Sequence, residues 1–88
     1  MNRRDAVARA IQHAQSSRRA VDSCQKEWAL AHNAYNAAVT EQPYKGRRSG
    51  TDLEDLRMHS IGAYEALLDS MRIHHDNLAH LAAIKGKL

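Results

Sequence analysis

Residues 40–51 read TEQPYKGRRSGT and contain the only proline of the chain, Pro43, together with two of its four glycines. Glycine and proline disfavour helix interiors, so this stretch indicates a connection between two longer elements. Residues 3–42 contain neither glycine nor proline. The sequence therefore predicts a single helical-hairpin domain over residues 1–88, with a basic connecting loop at 41–51.

The start of the second helix is marked by a capping box, Thr51-Asp52-Leu53-Glu54. In this motif the threonine hydroxyl accepts a hydrogen bond from a backbone N–H of the first turn, and the glutamate reaches back to the threonine N–H. The expected fold is all-α, an antiparallel two-helix hairpin with helices near residues 3–40 and 52–85.

Small and apolar side chains recur in alternating steps of three and four residues along the first helix, which is the spacing of a coiled-coil seam. These positions are Val7, Ala10, Ala14, Ser17, Val21, Cys24, Trp28, Ala31, Tyr35 and Ala38. Large members alternate with small ones, so two helix backbones can approach closely while the large side chains fill the remaining space. We therefore predict that this stripe packs against the second helix.

The second helix carries a comparable stripe. Its positions are Leu53, Leu56, Ser60, Tyr64, Leu67, Met71, His74, Leu78 and Leu81, and it is widened to one side by Ile61, Leu68 and Ala82. One hairpin covers each helix from one side only. The extra width therefore predicts a homodimer that forms a four-helix bundle.

The register of the hairpin follows if the two helix ends that flank the loop face each other. Trp28 then lies opposite Tyr64, and His74 lies close to Ser17. We accordingly predict that Trp28, Tyr35 and Tyr64 belong to the core and do not form a base-stacking platform. His74 is expected to be a hydrogen-bonded, partly buried histidine.

The net charge of +3 is unevenly distributed along the 88 residues. Residues 1–26 carry six basic and two acidic side chains, whereas residues 53–88 carry four basic and five acidic ones. The two parts can attract each other within a hairpin or between chains.

The sequence predicts a cytoplasmic protein. It contains a lone cysteine, Cys24, and it has no apolar leader and no membrane-spanning run.

No arrangement of side chains in the sequence is typical of catalysis or of a cofactor site. Metal ligands on one helix face need a spacing of three or four residues, and no two of the six histidines have it: His13, His32, His59, His74, His75 and His80. Cys24 lies in the seam, where a thiol behaves as a small apolar group. Phosphate-binding glycine motifs are also missing. We therefore expect no enzyme activity, no metal and no cofactor.

These observations favour a non-enzymatic interaction protein, a small adaptor or inhibitor that binds a partner protein. Two surfaces are candidates for the partner. One is the tip of the loop, with Tyr44, Arg47 and Arg48, residue types that often anchor interfaces. The other is the widened flank of the second helix, with Ile61, Leu68 and His75.

The alternative is a small basic regulator that binds nucleic acid. Its contacts with phosphate would come from the first helix and the loop, through Arg4, Arg18, Arg19, Lys45, Arg47 and Arg48. Asp5 and Asp22 interrupt the basic run of the first helix, so binding of this kind is expected to be weak and strongly salt-dependent.

Overall fold

Two long helices form the part of the chain that the structure, a computed structural model, describes, namely residues 2–41 and 50–86. Helix α1 spans Arg3–Glu41 and helix α2 spans Gly50–Gly86. They pack against each other along their lengths in opposite directions. The predicted all-α antiparallel hairpin is thereby confirmed.

The helix ends lie within two residues of the predicted ones. Asn2 caps α1, because its side-chain Oδ1 accepts a hydrogen bond of 2.8 Å from the backbone N–H of Asp5. Helix α2 already includes Gly50, two residues before the expected start. The Glu54 carboxylate, which we expected to reach back to residue 51, accepts two hydrogen bonds from the Arg57 guanidinium.

Small side chains form most of the buried seam between the helices. The buried residues are Ala10, Ala14, Ser17, Ala31 and Ala38 of α1, and Ser60, Leu67 and Ser70 of α2. All ten predicted seam positions of α1 are buried or half-buried. Since a small side chain occupies little space between two helices, this composition lets the backbones of α1 and α2 approach closely.

The predicted stripe of α2 is wrong at three positions. Tyr64, Met71 and Leu78 are 46%, 50% and 47% exposed and lie beside the seam. The positions one residue earlier, which are Ala63, Ser70 and Asn77, are half-buried or buried in their place. The physical reason is the small seam: a close helix contact accommodates the smaller residue of each adjacent pair and leaves the bulky one at the edge.

The predicted register is confirmed by contacts between the helices. The rings of Trp28 and Tyr64 have centroids 5.7 Å apart. Ser17 Oγ is hydrogen-bonded to His74 Nδ1 at 2.8 Å and lies 3.1 Å from the Ala14 carbonyl oxygen. His74 is half-buried and hydrogen-bonded, as predicted.

The hairpin is a thin rod with little core. It measures 64 × 17 × 14 Å, and its radius of gyration of 19.5 Å compares with about 12 Å for a compact chain of this length. Within the described helices no large side chain is fully buried. Two helices in a single layer leave one side of each large residue uncovered.

Candidate protein-interaction face

Five large apolar side chains of α2 point away from the seam on one side of the helix. They are Ile61, Tyr64, Leu68, Met71 and Leu78, each between 38% and 50% exposed. Their steps of three, four, three and seven residues place them on a single helical face. We call this row the apolar face of α2.

Helix α1 extends this face through its aromatic side chains. Trp28 is half-buried and lies between Tyr64 of α2 and His32 of its own helix, whose ring stacks on the indole with centroids 5.2 Å apart. The Asn36 amide Nδ2 lies 3.2 Å from His32 Nε2 and orients that ring. Tyr35, one heptad after Trp28, is also half-buried. The rings of His32, Trp28 and Tyr64 therefore form a contact row that joins the two helices.

The structure describes three of the six predicted partner-binding residues. Ile61 and Leu68 belong to the apolar face, and His75 is exposed at the next position of the same spacing. The predicted loop-tip residues Tyr44, Arg47 and Arg48 lie outside the described residues.

The sequence reasoning missed Tyr64, Met71 and Leu78 as surface residues because it assigned them to the seam. A signal for the correct assignment exists in the spacing. The predicted stripe takes two successive four-residue steps, from Leu56 to Ser60 to Tyr64, and this double step moves the stripe from one edge of the helix to the other. A strict heptad repeat continues instead through Ala63, Ser70 and Asn77.

The predicted nucleic-acid contacts are only partly described. Arg4, Arg18 and Arg19 are all exposed on α1. Arg4 and Arg18 are two heptads apart and share one edge of the helix, with Arg19 next to it. The remaining predicted contacts, Lys45, Arg47 and Arg48, fall outside the residues that the structure describes.

Charged side chains on the outer surface of α2 pair within the helix. Arg57 binds Glu54, with a shortest N–O distance of 2.7 Å, and Arg72 binds Asp69. Hydrogen bonding to Arg57 lowers the pKa of Glu54, and the same bond raises the pKa of Arg57. These exposed pairs contribute little to stability. The Glu54–Arg57 pair lies one heptad before Ile61 and Tyr64, on the helical edge that carries the apolar face.

On the opposite side of the hairpin lies a shallow groove lined by small side chains. Ala31 and Ala34 of α1 face Gly62, Ala63 and Ala66 of α2. Its rim carries the exposed side chains of Leu30 and Met58. Both sides therefore carry exposed apolar groups, and the groove of small side chains distinguishes this side from the apolar face of α2.

Across residues 2–41 and 50–86, no three histidine, cysteine, aspartate or glutamate side chains are grouped to hold a metal ion. Cys24 is a half-buried free thiol of the seam. The same ranges contain no helical stretch with the length and hydrophobicity needed to cross a bilayer.

Comparison of the chain with protein-family models, with curated proteins and with solved structures gave no match. The arguments about function therefore rest on the geometry of the hairpin.

Proposed function

We propose that the protein is a non-enzymatic interaction protein, a small adaptor or inhibitor that binds a partner protein through the apolar face of α2. One observation carries the proposal: Ile61, Tyr64, Leu68, Met71 and Leu78 form an exposed row at helical spacing. A helical row of this kind is the usual anchor when a helix binds an apolar groove. Contiguous exposed apolar surface is also uncommon on proteins that have no partner.

The free energy available from burying the apolar face supports a binding surface that uses both helices. Fully burying one large aliphatic side chain contributes about 1.5–3 kcal/mol, so covering the exposed halves of five contributes roughly 4–7 kcal/mol. Association itself costs roughly 4–15 kcal/mol. The row on α2 alone barely offsets that cost. Trp28, whose ring contacts Tyr64 at the edge of this row, supplies additional contact, and tryptophan is typical of binding hot spots.

Affinity capture from a lysate of the native source tests the proposal, with the whole chain as bait. Leu68→Ser removes a central side chain of the face, and Ile73→Ser is the matched control, since Ile73 is an equally large side chain of α2, 57% exposed, on a different side of the helix. We expect a partner protein that is held by the unchanged chain and by Ile73→Ser, and lost with Leu68→Ser. Both variants must remain helical by circular dichroism.

A triple variant, Tyr44, Arg47 and Arg48 to alanine, tests the loop tip in the same assay. Retention of every captured protein by both the loop variant and Leu68→Ser would show that neither surface binds a partner.

The nucleic-acid alternative is favoured by one observation, the exposed edge that carries Arg4, Arg18 and Arg19. Nuclease treatment of the lysate distinguishes the two functions. Capture that disappears with nuclease and with Arg18→Gln/Arg19→Gln, but survives Leu68→Ser, would replace the protein-binding proposal with the alternative.

A further inference from the structure

We infer that a second copy of this chain covers the apolar face, packed antiparallel so that the loop end of one hairpin lies over the open end of the other. The open end is where α1 begins and α2 ends; the loop end is the opposite one. The inference rests on the proposed function in one respect, that this face binds protein. It makes the second copy the occupant of the face and gives its orientation, so that another protein binds there only by displacing that copy.

The surface area of the hairpin matches what such an interface needs. The chain exposes 6681 Å², whereas a compact monomer of its mass exposes about 5,200 Å². The excess is roughly 1,500 Å² for each chain. A standard stable interface buries about 800 Å² on each partner. One copy seated on the face therefore fits within the excess.

The composition of the seam also supports a second copy on the apolar face. Buried apolar residues within the described helices are four alanines and Leu67. Large apolar side chains lie outside this seam: five of them form the apolar face of α2, half-covered, and others, such as Leu30, Met58 and Ile73, are exposed elsewhere on the hairpin. Two hairpins that place their apolar faces together bury these faces and Trp28 between two layers, which is how a four-helix bundle obtains its core.

Charge selects the orientation of the second copy. The open-end half, residues 3–26 and 68–86, carries eight basic and four acidic side chains. The loop-end half, residues 27–41 and 50–67, carries one basic and six acidic side chains. The three basic residues of 42–49 reduce this negative charge without reversing it. An antiparallel copy places opposite charges together, whereas a parallel copy places like charges together.

The position of the apolar face along α2 is compatible with a two-fold axis that relates two antiparallel copies. An isologous contact requires a patch that is complementary to itself about a two-fold axis. The row from Ile61 to Leu78 is centred between Leu68 and Met71, close to the middle of α2. In an antiparallel pair, Ile61 of each copy then lies near Leu78 of the other, and Leu68 lies beside the axis.

Cysteine cross-linking of the whole chain tests both the face and the orientation. In a Cys24→Ser background, Leu68→Cys places two thiols near the two-fold axis, and Ile73→Cys is the control on another side of the same helix. We expect light scattering to give twice the 9.9 kDa chain mass at micromolar concentration. We also expect mild oxidation to produce a disulfide-linked dimer with Leu68→Cys and not with Ile73→Cys, because a disulfide requires closely placed Cα atoms.

The effect of Leu68→Ser on the dimer is doubled by symmetry, since each dimer loses two leucines. We expect its dissociation constant to rise about 50-fold, with Ile73→Ser unchanged. If Leu68→Ser also loses helicity, the cross-linking result still decides the question, because Leu68→Cys retains an apolar side chain.

A chain mass of 9.9 kDa up to 100 μM protein would overturn the inference, and so would a dimer that cross-links through residue 73 or fails to cross-link through residue 68. These failures differ from failure of the proposed function. If the chain is a monomer and Leu68→Ser abolishes capture of a partner, the proposed function stands and the dimer inference fails. If the chain is a symmetric dimer and Leu68→Ser captures the same proteins as the unchanged chain, the dimer inference stands and the proposed function fails.

Discussion

Trp28 contacts aromatic rings of both helices. It touches Tyr64 across the seam, stacks on His32 and keeps part of its surface exposed. An aromatic residue with these neighbours contributes both to the stability of the hairpin and to any surface that docks on it.

We predict that Trp28→Ala lowers the free energy of unfolding by about 2 kcal/mol. The loss is smaller than the roughly 3–5 kcal/mol expected for a fully buried tryptophan, because the indole is only partly buried. Urea unfolding followed by circular dichroism measures it at one fixed protein concentration. Trp28→Phe is the control and should lose less than half as much. An unchanged midpoint for Trp28→Ala would show that the indole serves binding alone.

At the scale of the helices, α1 was predictable in full and α2 only in part. The glycine- and proline-free run, the loop and the heptads of α1 determined both helices and their register. Hydrophobicity did not predict which residues of α2 enter the seam, because at several turns two adjacent residues, such as Ala63 and Tyr64, could do so. The choice between them depends on how closely the helices approach, and that distance is set by the alanines of the other helix.

Helix α2 contains a glycine that the fold does not require. A Cβ added at Gly62 meets no atom within 4 Å, so alanine fits there without a clash. We predict that Gly62→Ala raises the free energy of unfolding by about 0.5–1 kcal/mol, the usual difference in helix propensity. Gly86→Ala, at the end of the helix, should raise it less. Thermal unfolding of the two variants compares them, and a destabilised Gly62→Ala would show that a partner chain approaches the groove at that position.

For the whole molecule, the proposed dimer predicts that stability depends on association, because the seam of a single hairpin consists mainly of alanine and serine. A chain that folds fully only in a dimer becomes more stable as its concentration rises. The charged ends add a dependence on salt, since attraction between exposed charges is screened within about 10 Å at 0.1 M salt.

We predict that the dimer dissociation constant increases three- to tenfold, roughly, between 50 mM and 500 mM sodium chloride. Sedimentation equilibrium at the two salt concentrations provides the measurement. Replacing Glu27 and Glu41 by glutamine should reduce the dependence, because these carboxylates belong to the loop-end half. Tighter association at high salt would show that the copies place like charges together.

The hydrogen bond between Ser17 and His74 has a consequence for how the chain avoids misalignment. A seam of alanines is nearly uniform, so one helix could slide along the other by seven residues with little change in the fit of small groups. Such a slide would bring His74 opposite Ala10 or Cys24 and remove the hydrogen-bond partner of its half-buried ring. A buried polar group left without a partner costs about 1–3 kcal/mol. One polar pair therefore distinguishes the native alignment from its nearest competitors.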